Sequence, residues 1–548
     1  QLKLLWKSQR LATVELNVRG SPTQALVSYE YDAQGQLVAS FHGGQPWRQY
    51  AWRGGVLVGY RKANGARFFA DYDEEGPHGR VVRSWCADTG EGHHFKYDFR
   101  ERFTWATDAL GRSTGFRFNA GFDIVETIAP DGTRVETPMN ANHLPTGIVD
   151  AMGRRSSNRF DARGNLTLHT SADGARTRLE YNALDLPMRI TDALGYVWTR
   201  EYDERGNLLA STDPLGNVTR YEYDARGNVV TIVDATAKRK HLTWDAQNNL
   251  TQYVDCSSRS TYYRHDLLGR LLERSDALNH RTHYAWSLTG QLVQVKEADG
   301  AEHQYRWDGE GNLLAYTDPL GAITQWRYDG GNRPVQRQDA AGRLLQYRYD
   351  SAGRLLELDN ENNAATRFGY DIVDNLTDEI GFDNRWQRYV YNAAGELTHL
   401  IEAGDDATAA GPGKVTNFER DSLGRLLVKR AHASEHMSER ISQYSYDALG
   451  RLLQANNSSA QLQFAYDAVG NLLSQSQQEP ANSQSSQAPH PRPGRPLDAR
   501  PFNLASVLDH CYDPLGNRTQ TTLPDGRSLH YLYYGSGHLH QIELEQTN

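Results

Sequence analysis

Tyr202-Asp203-Glu204-Arg205-Gly206-Asn207 returns 21 residues later as Tyr223-Asp224-Ala225-Arg226-Gly227-Asn228. An aromatic holds the same frame at Trp244, Trp286, Trp307, Tyr328, Tyr349, Tyr370 and Tyr391. Backwards, the frame runs through Tyr181, Phe160, Phe118 and Tyr97, with Met139 and His265 filling two slots. A second signal shares the period: Asp192-Ala193-Leu194-Gly195, Asp213-Pro214-Leu215-Gly216, Asp318-Pro319-Leu320-Gly321 and Asp339-Ala340-Ala341-Gly342. Self-similarity at a fixed period marks a repeat architecture, so function is to be sought first in the shape the repeats build.

Residues 197 to 223 show what the unit is. A β-favouring run ends at Tyr202, a D-x-x-G turn occupies 203 to 206, Asn207 to Thr212 follows, then a D-P-L-G turn at 213 to 216 and a second run to Tyr223. One repeat is one β-hairpin. Asp opens a type I turn by bonding its own backbone, Pro presets φ at the second position, and Gly accepts the positive φ of a following bulge. Along the second run Thr219, Tyr221 and Tyr223 share one face, while Arg220 and Glu222 share the other. Residues recurring at a fixed period are structural, because an active site is local. That reading covers the turn positions Asp203, Gly206, Asp213, Pro214, Gly216, Asp224, Gly227, Asp318, Pro319, Gly321, Asp350 and Gly353, and it assigns no catalytic, cofactor or metal residue.

The register divides the chain. Residues 1–30 form a lead-in without a clear repeat, and 31–473 are the array, with longer connections expected at 403 to 414 and 429 to 441. Residues 474–501 hold six prolines amid Ser and Gln and read as a mobile loop unable to join a ladder. Residues 502–548 carry the last repeat, Tyr512-Asp513-Pro514-Leu515-Gly516-Asn517, and the start of a distal block.

Composition agrees with one long sheet rather than several thick-cored domains. Hydrophobic residues make up 38% even with 30 Tyr counted, and mean hydropathy is −0.70. Roughly twenty hairpins give about forty strands, and at about 4.8 Å each the ribbon would run on the order of 190 Å. A twisted open sheet of that length coils, and a coiled ribbon encloses space.

The formal net charge is −9 without any basic tract, which argues against a nucleic-acid partner. Cys86, Cys256 and Cys511 are too few and too scattered for a disulfide framework or a C-x-x-C metal site, and point to folding in a reducing compartment. No apolar run is long enough to span a membrane, and no signal peptide is evident. The chain begins at Gln1, so it reads as part of a longer polypeptide.

Enzyme chemistry finds little support. His432-Ala433-Ser434-Glu435-His436 fits H-x-x-E-H, which on a helix would offer two His to zinc and a Glu base. The segment lies in a short connection with no room for supporting helices, so a polar loop is the simpler reading. His538 and His540 share one face of a strand end, and no paired carboxylates stand out from the regular array of turn aspartates.

The run Y-x-Y-D-x-x-G-N/R-L with D-P-L-G turns, at 200 to 228 and again at 347 to 356, resembles the YD repeats of bacterial Rhs proteins. The ending Leu523-Pro524-Asp525-Gly526-Arg527 through Tyr533-Tyr534-Gly535-Ser536-Gly537-His538-Leu539 resembles the distal Rhs core. The likeness covers roughly residues 25 to 545. It implies an all-β array coiled into a hollow, cocoon-like shell around the protein's own C-terminal toxin domain, closed by an N-terminal plug or PAAR-like spike segment. It further implies partnership with a type VI spike and chaperone, and a bacterial cytoplasmic stage before secretion or delivery into a target cell. Related shells occur in insecticidal toxin complexes and in teneurins. Family shells commonly self-cleave at paired D-P-x-G motifs. The nearest pair here, at Asp318 and Asp339, follows the repeat period and its second member lacks Pro, so both read as turns and no enzymatic role is carried over. The competing function is a module whose aromatic strands recognise a cell-surface glycan or receptor; an exposed aromatic patch would support it.

Overall fold

The computed structural model describes residues 2–17, 23–403, 412–433, 439–478, 506–535 and 537–545. Within them all regular structure is β: 48 strands and no helix, in one antiparallel sheet that does not close into a barrel. Strands pair with their neighbours in sequence. Val218–Tyr223 pairs with Leu208–Thr212 on one side and Val229–Val233 on the other. By proximity the chain divides into two compact units, Gln1–His143 with Trp244–Gln252 and Ser260–Tyr389, and Leu144–Thr243 with Tyr253–Arg259 and Val390–Asn548.

Most strands that carry a frame residue show a register shift immediately before it, as between Glu222 and Tyr223 or Glu201 and Tyr202. The bulge re-aims that side chain, and its new target recurs. The ladder between Leu208–Thr212 and Val218–Tyr223 runs from Thr212↔Val218 to Ala210↔Arg220. Beyond it, the Leu208 carbonyl accepts the Tyr223 hydroxyl at 2.8 Å. Tyr202 donates likewise to Pro187 at 3.1 Å, Trp286 to Leu271 at 2.7 Å and Tyr349 to Pro334 at 2.9 Å. The frame aromatic thus buries a ring and supplies a donor where the backbone needs one. Arg420 fills the slot once and donates its Nε to the Leu397 carbonyl at 3.2 Å. His265 also fills it, but its Nδ1 is buried without a hydrogen-bond partner.

The opposite face is charged. Arg117 and Arg134 flank Glu126, and Arg348 and Arg367 flank Glu357, in rows running across adjacent strands. Such rows pair opposite charges directly across the sheet, and few apolar residues among those described are buried.

Two stretches gain strands that the repeat did not assign, and the start of the expected loop moves. The lead-in is already part of the sheet, as strands Leu2–Lys7, Arg10–Leu16 and Gln24–Tyr31. Of the longer connections expected at 403 to 414 and 429 to 441, residues 404–411 and 434–438 lie outside the described residues, and the described parts belong to long strands, Pro412–Arg420 with 9 residues and Leu426–Ala433 with 8. Ser474 to Gln478, assigned to the loop, complete the strand Leu472–Gln478 and pair with Ser506–Tyr512. The rest of the expected loop, from 479 to 501, lies outside the described residues.

Candidate functional site

Turns come first, because every feature that joins distant parts of the chain is mounted on one. At 203 to 207, the Gly206 amide donates to the Asp203 carbonyl at 3.1 Å, and Asp203 Oδ1 accepts the amides of Arg205 and Asn207 at 2.9 and 2.8 Å. Asn207 Nδ2 closes the ring onto Asp203 Oδ2 at 2.7 Å. Gly206 has φ of 87°, a conformation that costs a residue with a Cβ. Asp224 makes the same bonds to Arg226 and Asn228 at 2.9 Å each, with the Gly227 amide on its carbonyl at 3.1 Å. Asp213 and Asp318 do likewise to Leu215, Asn217, Leu320 and Ala322. Pro214 and Pro319 occupy the position that needs no donor, and Gly216 and Gly321 each bond back to their Asp carbonyl at 3.0 Å. Asp350 accepts Ala352 and Arg354 amides at 2.9 and 3.0 Å, with Gly353 at the positive-φ position. The same turn forms where Gly is absent, with Asn248 at φ 64° and Asn332 at φ 68°.

At many turns the fifth position takes one of two side-chain closures. Asn closes the turn on itself, as at Asn207, Asn217 and Asn228. Arg also closes it, through Nε to the Asp Oδ2, and has two further nitrogens to spend elsewhere. Arg354 Nε meets Asp350 Oδ2 at 2.7 Å while Nη1 reaches the Asp371 carbonyl at 3.1 Å, and the guanidinium lies 5.0 Å from the Tyr370 ring centre. Burial pushes the Asp350 carboxyl up, but the backbone and guanidinium bonds from Arg354 outweigh it and hold the group below the usual carboxylate range.

Four turn arginines spend those nitrogens on carboxylates far away in sequence. In the first unit Arg112 holds Asp108 through Nε at 2.7 Å and pairs with Asp374, and Arg333 holds Asp329 at 2.8 Å and pairs with Glu91. In the second, Arg154 holds Asp150 and bonds Glu396 at 2.8 Å, and Arg425 holds Asp421 and bonds Asp173 at 3.3 Å. Glu396 is the leading influence that raises the Arg154 guanidinium above its ordinary value. A fifth pair, Arg48 with Glu310, uses a strand arginine; Glu310 is only 3% exposed and also accepts the Ala63 amide at 2.8 Å. Among the described residues these five are the ion pairs that join segments more than 240 residues apart. Within each unit the ribbon therefore returns on itself, and four of the five contacts join turn to turn.

Beside the first unit's contacts lies a cavity of about 990 Å³, lined by Tyr60, Phe68, Tyr72 and Phe116 with Ile372 and Val373 from the returning turn. On the charged face, Phe69 and Trp85 stack with ring centres 5.4 Å apart, and Arg83 lies 4.3 Å over the Trp85 ring. Arg83 covers the Trp85 ring, while Phe69 is 38% exposed.

The residues weighed for metal chemistry are not brought together. His432 is next to last in the strand Leu426–Ala433 and faces Glu439 at 3.3 Å, while Ser434, Glu435 and His436 lie outside the described residues. His538 stacks on Tyr534 in the exposed strand His538–Glu545. No cluster of three potential metal ligands occurs among the described residues. Asp318 and Asp339 each cap their own turn.

Two family models match the array: residues 188–337 and 277–406 match the teneurin YD-shell, and 160–197 match the RHS repeat. No curated protein matches the sequence. Among solved structures, the crystal structure of TcdB2-TccC3-TEV aligns with a TM-score of 0.60 at 13% identity, covering 98% of this chain and 36% of that one. TcdB2-TccC3 without its hypervariable C-terminal region aligns at 0.54 and 15% identity, over 96% and 32% of the two chains. The Photorhabdus luminescens Tc holotoxin pore aligns at 0.52 and 14%, over 93% and 32%. The chain spans about a third of those proteins, and at such identity the likeness is one of fold.

Proposed function

We propose, from the premise that this chain carries a YD-repeat core of the Rhs type, that it is the wall of a container which holds and delivers a toxin domain encoded on the same polypeptide. The observation that carries this reading is the alignment of almost the whole ribbon with TcdB2-TccC3, a chain with a hypervariable C-terminal region. The cargo of the present protein is its own C-terminal domain. The return of the ribbon in each unit supports the same reading, since a sheet that meets its own turns hides one face. An N-terminal plug or PAAR-like segment closes the open end, and export from the bacterial cytoplasm runs through a type VI spike with its chaperone. The wall performs no catalysis; toxin activity belongs to the cargo.

Protease protection tests the reading. In the full parent protein the C-terminal domain survives added protease, whereas the same domain expressed alone is digested. Equal digestion in the two settings removes the container and favours a surface-binding module.

A further inference from the structure

The five distant ion pairs are a different kind of joint from the rest of the fold. Neighbouring strands are joined first by a backbone ladder, with turn caps and frame aromatics closing its ends. Among the described residues, the polar bonds between returning passes within a unit all use a side chain: the ion pairs, the Asn64–Asn332 amide bond at 3.0 Å, Lys62 on the Gly330 carbonyl at 3.4 Å, the Ala63 amide on Glu310, and in the second unit the Lys238 ammonium on the Gly535 carbonyl at 3.0 Å; apolar contact such as that of Ile372 and Val373 at the cavity accompanies them. The cationic half of four of the five pairs is the same residue, the fifth turn position, doing two tasks from one guanidinium. Nε keeps the local turn shut, and Nη reaches across. Asn at that position shuts the turn equally well and is too short to reach anything else.

The carboxylates opposite are equally particular. Asp374 stands where the repeat calls for Gly, at φ 72°, a conformation unfavourable to a side chain. What the side chain gains there is Arg112 across the joint and Arg354, at 3.1 Å, from the neighbouring repeat. Glu396 inverts the usual arrangement: its turn opens with Asn392, whose Nδ2 donates to Glu396 Oε2 at 2.8 Å, leaving Oε1 for Arg154. Both departures from the repeat place a negative charge opposite a turn arginine.

We propose that Arg112, Arg154, Arg333 and Arg425 are latches: they hold successive passes of the ribbon together and can release while every hairpin remains formed. Resting on the container reading, the latched joint is the line along which the wall parts to admit or release its contents. Ion pairs suit that task because they are partly exposed, screened by salt and independent of the strand ladder.

The test uses the repeat's own alternative residue. The full chain with Arg112→Asn, Arg154→Asn, Arg333→Asn and Arg425→Asn keeps a turn-closing side chain at each site and loses each latch. Hydrogen exchange is read on peptides covering 88–91 and 171–175, which carry the latched Glu91 and Asp173, with Val218–Tyr223 as internal reference. A control chain carries Arg270→Asn and Arg343→Asn, turn arginines that reach no distant carboxylate. The expected result is exchange about tenfold faster at the latched turns, the magnitude for losing a hydrogen bond to a charged group. The reference strand and the far-ultraviolet circular dichroism are unchanged, and the control is silent. High salt applied to the unsubstituted chain gives the same pattern. Unchanged exchange at the latched turns overturns the proposal, and so does loss of the reference strand together with them, or failure of the variant to fold, because the joint would then be inseparable from the ladder. The measurement needs no cargo, so its failure leaves the container reading standing, and failure of protease protection leaves the latches standing.

Discussion

Replacing Asp350 by Asn removes a charge from a turn while leaving its shape available. Asp350 Oδ1 accepts two backbone amides, and an Asn carbonyl oxygen at the same place accepts both. The second oxygen is different: it takes Arg354 Nε at 2.7 Å, and an Asn amide nitrogen would set donor against donor. Hydrogen bonds to charged groups contribute about 1.5–3 kcal/mol, neutral ones about 0.5–1.5 kcal/mol. Arg354 retains the Asp371 carbonyl and Asp374, so its charge is not stranded, and Asp350→Asn is expected to cost about 2 kcal/mol. Asp213→Asn is the matched comparison. Its second oxygen faces the Asn217 amide at 2.8 Å, which can turn over and offer its oxygen instead, so the cost there is about 1 kcal/mol or less. Urea unfolding at neutral pH measures both, with hydrogen exchange at 352 and 354 as the local readout. pH supplies the sign. The Asp350 carboxyl is held below its ordinary value in the folded state, so its contribution is fully present above the unfolded pKa of about 3.9 and is lost as pH falls through the lower folded value. The gap between the native chain and Asp350→Asn is therefore constant from neutrality down to about pH 5 and narrows below about pH 4. Equal costs at Asp350 and Asp213, or a gap that stays constant into strong acid, refute the reasoning.

Two further outcomes follow from the repeat. Tyr223→Phe keeps the ring and removes the donor to the Leu208 carbonyl, so the protein stays folded and loses about 0.5–1.5 kcal/mol in the same urea assay; no measurable loss would mean that water serves that carbonyl equally well. Asp318→Asn leaves a full-length, folded chain on a denaturing gel, and a cleavage in the unsubstituted chain that stops on this change would expose a protease where only a turn cap is described.

Much of the fold was legible because each repeat declares itself locally. Period, turn chemistry and facing pattern are all set within 21 residues, and the hairpin read between Tyr202 and Tyr223 is the hairpin found. The polar tip of the frame aromatic was legible too, had Tyr and Trp been distinguished from Phe by the donor they carry. Where the reading failed, the cause was length without a marker. Residues 412–420, 426–433 and 474–478 extend strands past their usual size, and neither Pro412 nor a Ser/Gln run prevents that at a strand end. The lead-in was missed because its first turn, at Ser8 and Gln9 with φ of 50° and 62°, lacks both Asp and Gly. The latches were hidden for a different reason. Arg and Asn alternate openly at the fifth turn position, but the carboxylate that gives the Arg its second task lies 242 to 262 residues away, beyond any local pattern.

That separation also sets a clock. Each strand finds its partner in the adjacent stretch of chain, so hairpins form in microseconds, as soon as both halves have left the ribosome. Arg112 is made 262 residues before its partner, and at 5–20 residues per second the interval is roughly 10–50 s. For that time the nascent chain carries finished hairpins whose guanidinium groups still face water. Synthesis and zippering are thus ordered by sequence distance alone: the ribbon matures continuously behind the ribosome, and its first pass waits, unclasped, for the second to arrive.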